Sequence, residues 1–199
     1  MQRTNRTAMV VLDMQNQFTN KKGCLFYETT EKVIPAILDG IQKLRERGVL
    51  IVYANSESEG EECSLDTEVL KRRDPVPPKG SWDAEMDERL EVLPEDLVIS
   101  HFASSAFFGT ELEKKLKEKE IRNVIVCGVK TNYDVRATAT DAMWRQFQAY
   151  AASDMVASDT EERSKIHLEE LTKIYGKGNP SGRDYQAYRR RQIVKEVEG

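Results

Sequence analysis

Three ionisable side chains, those of Asp13, His101 and Asp134, each come directly or shortly after an apolar run typical of a buried β-strand. The carboxyl ends of parallel strands meet at one edge of a sheet, and ligands bind there where the strand order reverses. We therefore expect the three side chains to share one pocket. Two carboxyl groups and an imidazole suit general acid–base catalysis, and the same groups could instead hold a metal ion.

Both carboxyl groups also have an ordinary structural interpretation. Asp13 could form an Asx turn as the chain leaves its strand. Asp134 falls in the first turn of a predicted helix, where an acidic side chain interacts favourably with the helix dipole. The second histidine of the chain, His167, lies within a predicted surface helix and is not expected to take part in chemistry.

The segments that must position the three side chains alternate between apolar runs and amphipathic stretches. The predicted strands are 8–12, 49–53, 97–100, 124–129 and 148–155, and the predicted helices are 31–47, 81–90, 110–119, 133–143 and 158–175. We expect Thr110 to cap the third helix, and Ser158 with Glu161 to form a capping box for the last. Strand–helix alternation predicts an α/β fold with parallel strands.

Length and charge limit the classes of protein to consider. The chain has 199 residues, about a third of them charged, and a formal net charge of −4. We expect a single domain over 1–199, with a core at 6–175 and a tail at 176–199. The charge balance and the lack of a basic stripe argue against nucleic acid as a partner. The sequence also contains no apolar run long enough to span a membrane.

The three cysteines, Cys24, Cys63 and Cys127, follow no zinc or disulfide spacing, which favours a cytoplasmic protein. Cys63 lies in a long excursion, 56–94, which we expect to form a lid or wall of the pocket. It is not an expected nucleophile, because its acidic neighbours disfavour the thiolate.

Five short motifs occur in order along the chain, and together they resemble the isochorismatase-like hydrolase superfamily, which includes nicotinamidases, ureidoacrylate hydrolases and isochorismatases. The motifs are Asp13-Met-Gln-Asn-Gln-Phe18, Trp82-Asp-Ala-Glu85, Ser105-Ala-Phe-Phe-Gly-Thr110, Cys127-Gly-Val-Lys-Thr-Asn132 and Ala137-Thr-Ala-Thr-Asp-Ala142. The resemblance covers about residues 6–175. It implies an α/β, Rossmann-like, doubly wound and mostly parallel five- or six-stranded sheet with helices on both faces, in a homo-oligomer (dimer or tetramer).

The resemblance also assigns positions to a catalytic triad, which in the amidase branch is Asp, Lys and Cys. Asp13 matches the first position, whereas His101 stands at the lysine position and Asp134 at the nucleophile position. The family's amidases have a non-proline cis bond before the residue at Lys130, which aims the N–H groups of 130 and 134 at an oxyanion. The resemblance therefore implies that an Asp134 carboxylate would project into this space.

The isochorismatase branch needs no cysteine, because the aspartate at the Asp13 position can protonate a vinyl ether. Two neighbouring carboxyl groups raise the pKa of one of them, which would supply such an acid. His101 would then orient a carboxylate or handle a water; in a bolder version, Asp134 is itself the nucleophile. Nicotinamidases carry metal-binding histidines after the second strand, where this chain has Asn55-Ser-Glu57, so we expect no metal there and no cofactor.

The sequence thus predicts a hydrolase of a small polar metabolite, acting on a vinyl ether, amide or ureide bond without a cysteine nucleophile. The catalytic residues would be Asp13, His101 and Asp134. The expected pocket walls are Phe18, Trp82, Phe107, Lys130 and Tyr133, although simple core packing is an equally good reading of Phe107. The alternative is a catalytically altered pseudoenzyme that binds a small molecule or a protein partner.

Overall fold

A computed structural model describes residues 6–59 and 75–175 of the chain, with side chains described as far as 171. The strands are β1 (Thr7–Leu12), β2 (Leu50–Ser56), β3 (Leu97–His101), β4 (Asn123–Val129) and β5 (Gln148–Ala157). The helices are α1 (Asn16–Thr19), α2 (Glu28–Glu46), α3 (Leu112–Glu118), α4 (Arg136–Trp144) and α5 (Glu161–Tyr175). A 3₁₀ turn at Trp82–Ala84 and a π-helical turn at Thr131–Val135 complete the set.

The five strands form one parallel sheet in the order β3-β2-β1-β4-β5, which confirms the predicted fold class. Strand β1 is central, and all six of its residues are buried. This burial explains its continuous apolar sequence, since both faces of such a strand are covered. In this order the connections from β1 to β2 and from β4 to β5 run in opposite directions across the sheet. Because both crossovers are right-handed, their helices lie on opposite faces of the sheet.

The predicted helix over 81–90 is wrong. Residues 82–84 make a single 3₁₀ turn, after which the chain runs extended beside the segment that follows β1. The Asn16 N–H donates to the Glu85 carbonyl, and the Asp87 N–H donates to the Met14 carbonyl, both at 2.9 Å. These backbone groups are therefore paired with a segment distant in sequence and are unavailable for a helix.

Of the two predicted helix caps, one differs from the observed helix start. The Ser158 hydroxyl donates to the Asn132 side chain, so the predicted capping box is wrong. Instead, the Thr160 hydroxyl accepts the Arg163 N–H at 3.2 Å. Thr110 does accept the N–H of Leu112, the first residue of α3, at 3.2 Å.

Helix α2 begins at Glu28, three residues before its predicted start. No helix among the described residues is long and apolar enough to cross a membrane. Cys63 and the tail 176–199 lie outside the described residues.

Gly128 allows β4 to pass close to β1 at the end of the sheet that carries Asp13. Its φ is +102°, in the region that favours glycine. A Cβ atom built there would lie 2.1 Å from the Leu12 carbonyl oxygen, a backbone atom that cannot swing aside. The close approach of the two strands therefore depends on the missing side chain.

We expect Gly128→Ala to lower the free energy of unfolding by at least about 3 kcal/mol, because it adds a backbone clash to an unfavourable φ. Gly80→Ala is the matched control, since Gly80 also has a positive φ of +74° but would meet no atom within 4 Å. That variant should lose only about 1–2 kcal/mol. Urea denaturation of both variants checks this, and equal losses would contradict it.

Candidate active site

Asp13 follows β1 directly and is buried. Its φ is +53°, a left-handed conformation that is unusual for a residue other than glycine. The Asp13 N–H donates to the Ala54 carbonyl at 2.9 Å, and Oδ1 accepts the Ser56 N–H at 2.7 Å. Strand β2 therefore holds both the backbone and the side chain of Asp13 in this unusual conformation.

His101, the last residue of β3, has a side chain with no solvent exposure. Its Nδ1 lies 2.8 Å from the Ala103 carbonyl oxygen and its Nε2 lies 3.0 Å from Asp13 Oδ1. A carbonyl oxygen can only accept, so Nδ1 carries a hydrogen, and Nε2 carries one as well when the ring is protonated. Burial opposes that charge, but the Asp13 carboxylate outweighs it and raises the pKa of His101 to about 9.

Asp134 lies in the π-helical turn after β4, and its Oδ2 accepts the Lys130 N–H at 3.2 Å. Burial and the charge of Asp13 raise the pKa of Asp134 to about 8, against the opposing effects of His101 and Lys130. At neutral pH, Asp134 therefore keeps its proton beside an ion pair of Asp13 and His101. The structure brings the three sequence-predicted residues together.

The peptide bond between Val129 and Lys130 is cis, as the resemblance implied. The Lys130 N–H that would serve an oxyanion in the family's amidases instead binds the Asp134 side chain. The expectation that Asp134 projects into this space is therefore confirmed.

A cavity of about 30 Å³ opens between the carboxyl ends of the strands. Both Asp13 and Asp134 line it, together with three of the predicted wall residues, Phe18, Lys130 and Tyr133. His101 is not part of this lining, although its Nε2 lies 3.0 Å from Asp13, which is.

The other two predicted wall residues do not line this cavity. Trp82, the first residue of the 3₁₀ turn, is 43% exposed and lines a separate surface depression. Phe107 is buried and stacks on Phe147, with ring centroids 5.8 Å apart. Phe107 is therefore part of the core, which was the alternative interpretation of this residue.

Lys130 brings a second positive charge to the cavity. The residue is buried, and its Nζ lies 5.0 Å from the ring centroid of Tyr133 and 6.0 Å from that of Tyr27. An ammonium group within about 6 Å of an aromatic face is attracted by the ring. The two tyrosines therefore help to keep the cation beside Asp134.

Sequence reasoning missed three residues that shape the site: Gln15, Gln17 and Ser56. The Gln15 side chain accepts the Ser56 N–H at 2.9 Å and donates to the Ser56 carbonyl, also at 2.9 Å. Gln17 lines the cavity. Gln15 and Gln17 could have been suspected from the sequence, because both polar side chains follow closely after a buried strand. The role of the Ser56 backbone could not be seen in the sequence.

A metal site after β2 does not fit the residues found there. Glu57 accepts a hydrogen bond from the Ser100 hydroxyl, and Asn55 is a poor substitute for a histidine ligand. Within 6–59 and 75–175, no three His, Cys, Asp or Glu side chains are arranged to hold a metal ion.

The fold and the site together define a doubly wound α/β protein with a carboxyl-lined cavity at the switch in strand order. The family model described as the Isochorismatase domain matches residues 7–177, and the chain therefore belongs to the isochorismatase family.

Similar proteins include the ureidoacrylate amidohydrolase RutB of Cronobacter turicensis. It is 29% identical over 170 residues, which cover 75% of this chain and 73% of that protein. A probable inactive nicotinamidase of Arabidopsis thaliana is 26% identical over 183 residues, covering 87% and 91%. The crystal structure of an isochorismatase-like hydrolase from Alkaliphilus metalliredigens superposes with a TM-score of 0.74 at 29% identity, covering 85% of this chain and 84% of that one.

The raised pKa values predict how stability depends on pH. His101 has a pKa of about 9 in the folded chain and about 6.5 when unfolded, so its contribution is complete below pH 6.5 and is lost as the pH rises through 9. Asp134, raised to about 8, also binds its proton more tightly when folded, so it acts in the same direction. We expect the free energy of unfolding to fall by roughly 3–5 kcal/mol between pH 6.5 and 9.

Urea denaturation across this pH range measures the effect in the wild type and in His101→Gln, whose curve should be flatter. His167→Gln controls for the loss of an imidazole outside the cavity. An equally steep fall in His101→Gln would contradict the assignment.

Proposed function

We propose that this chain hydrolyses a small polar metabolite at an amide, ureide or vinyl ether bond, without a cysteine nucleophile. The observation that carries the proposal is the pair of carboxyl groups in one cavity, of which Asp134 holds its proton up to a pKa of about 8. Environments that separate two carboxyl groups in this way are typical of an acid and a base in one site. The similarity to an amidohydrolase adds support.

Asp13 is the general base and Asp134 the general acid in this proposal. The sequence analysis considered Asp13 as the acid, but Asp13 Oδ1 lies 3.0 Å from His101 Nε2, which donates to it when the ring is protonated, and such a contact suits a proton acceptor. His101 is a positioning residue, because its two nitrogens bind Ala103 and Asp13 and it does not line the cavity.

For an amide or ureide, the proposed step begins with a water in the cavity. The water oxygen attacks the carbonyl carbon while the Asp13 carboxylate takes one water proton. The C–N bond then breaks, and the leaving nitrogen takes the proton of Asp134. Proton exchange with solvent returns Asp13 to the carboxylate and Asp134 to the acid. A vinyl ether would instead receive the Asp134 proton on carbon before water adds.

Negative charge that develops on the substrate oxygen is favoured by the Lys130 ammonium in the same cavity. The free cysteines described do not offer a nucleophile there. Cys127 is buried within β4, and Cys24 is exposed and does not line the cavity.

A ligand-binding pseudoenzyme is the second candidate. Asp134 stands at the nucleophile position of the family's amidases and binds the Lys130 N–H, a donor that an oxyanion would otherwise use. One similar protein is named a probable inactive nicotinamidase. A protein that had lost the nucleophilic thiol of the family's amidases, and had kept the fold in order to bind a ligand, would also have a different residue at position 134.

We further propose that the protein is cytoplasmic and assembles as a homo-oligomer (dimer or tetramer). Support for assembly comes from large apolar side chains on the surface, since Trp144 is 75% and Val98 53% exposed. Apolar side chains of this size are common in subunit contacts.

Asp13→Asn and Asp134→Asn should each lower kcat/KM by at least about 100-fold, because each removes a proton-transfer group. Asp39→Asn on the exposed face of α2 is the matched control and should be as active as the wild type. Rates are measured on panels of small amides, ureides and vinyl ethers. If the wild type hydrolyses none of them, the hydrolase proposal fails, and a ligand that raises Tm without turnover would favour the pseudoenzyme.

The pH–rate profile of the wild type should fall above about pH 8, where Asp134 loses the proton that it donates. A profile that stays flat to pH 9 would exclude Asp134 as the acid.

The double change His101→Lys with Asp134→Cys should produce amidase activity. The thiol would replace the carboxyl group that binds the Lys130 N–H, which frees that donor for an oxyanion. The single change Asp134→Cys is the control for the lysine. A folded double variant that remains silent on all amides would show that other parts of the pocket have also changed.

A further inference from the structure

Gln17 on α1 has a side-chain oxygen that nothing in the proposed reaction has yet used. The residue is 1% exposed, and its Nε2 donates to the Pro75 carbonyl at 2.9 Å. Because a carbonyl oxygen can only accept, this bond fixes which end of the amide is nitrogen. The remaining atom, Oε1, is buried and accepts no hydrogen bond from any described residue. A buried acceptor left in this state costs roughly 1–3 kcal/mol.

The cavity that Gln17 lines is the one that contains Asp13 and Asp134. Its volume of about 30 Å³ exceeds the roughly 10–15 Å³ that one water requires. It is far smaller than the roughly 300–1,000 Å³ of a pocket that encloses a whole ligand. This floor of the site therefore has room for a water, and a substrate must lie above it.

The Asp13 carboxylate supplies a second acceptor at this floor. Its Oδ1 faces the Ser56 N–H and His101 Nε2, whereas Oδ2 takes no hydrogen bond from the described residues. An ordered water commonly makes two to four hydrogen bonds to buried polar groups. Gln17 Oε1 and the Asp13 carboxylate together provide an acceptor for each of the two water hydrogens.

We propose that Gln17 positions the hydrolytic water, a role that rests on the proposed function. The water donates one O–H to Gln17 Oε1 and the other to the Asp13 carboxylate, so its oxygen lone pairs point away from both acceptors and towards the substrate. On attack, the new bond forms from this oxygen to the substrate carbon. Asp13 takes the proton that faces it, and the hydrogen on Gln17 stays with the product.

The bond to Pro75 gives this arrangement its rigidity. Rotation of the Gln17 amide would exchange Nε2 and Oε1 and would leave the Pro75 carbonyl facing an oxygen. The acceptor is therefore held in one orientation before a substrate arrives, which avoids reorganisation during the reaction. Gln17 does not touch the scissile bond itself and acts through the water.

High-resolution crystal structures of the wild type and of Gln17→Met test whether a water is bound between Gln17 and Asp13. The wild type should contain a water within about 3.2 Å of both Gln17 Oε1 and an Asp13 oxygen, and Gln17→Met should lose it. Gln17→Glu should keep the water, because a protonated glutamic acid offers the same acceptor and a donor to the Pro75 carbonyl. A wild-type cavity without this water, or with a water bound to only one of the two groups, would overturn the proposal.

Kinetic measurements on the best substrate of the panels test whether this water is the nucleophile. Gln17→Met should lower kcat by about 100-fold with little change in KM, since a misplaced nucleophile slows the reaction without weakening substrate binding. Gln17→Glu should recover most of that loss. Gln42→Met, the same change on the exposed face of α2, should leave both constants unchanged.

The outcomes separate this inference from the function on which it rests. A wild type that hydrolyses nothing defeats the proposed function, and with it the catalytic role of the water. An active wild type together with an equally active Gln17→Met defeats only the role of Gln17. A fall in kcat and a rise in KM by similar factors would indicate a structural effect and would also overturn the proposal.

Discussion

The contact between His101 and Asp13, at 3.0 Å inside the protein, determines the electrostatics of the whole site. A buried charge is stable only when it is paired, so the imidazolium and the carboxylate support each other. Burial raises the pKa of Asp134 to about 8, and the negative charge of Asp13 adds to this effect. Burial and the ion pair together thus give two chemically identical side chains different environments, as the proposed acid and base roles require.

The sheet explains how these groups meet across more than a hundred residues of sequence. Strand β1 lies between β2 and β4, so Asp13, Ser56 and the turn after β4 share one edge. Strand β3 lies beyond β2, and only the inward side chain of its last residue, His101, reaches Asp13. Parallel pairing converts positions at strand ends into neighbours, which is why the same edge is used for binding in open α/β sheets.

Much of this arrangement could be predicted from the sequence. Continuous apolar runs located all five strands, with ends that differ by at most three residues from those observed, and the residues beyond three of them met as expected. The segment around Trp82 failed because its backbone groups pair with residues 14–16, an interaction that local propensity cannot register. Gln17 was missed for a similar reason, since its orientation depends on the backbone of Pro75.

The protonation roles were also beyond the sequence, because they depend on burial and on distances between charges. A side chain that had simply taken the place of a lost catalytic group would not be expected to have specific hydrogen-bond partners. Here His101 binds Ala103 and Asp13, and Asp134 binds the Lys130 N–H. The Lys130 side chain lines the same cavity and suits a transition state that gains negative charge. This consistency favours altered catalysis over lost catalysis.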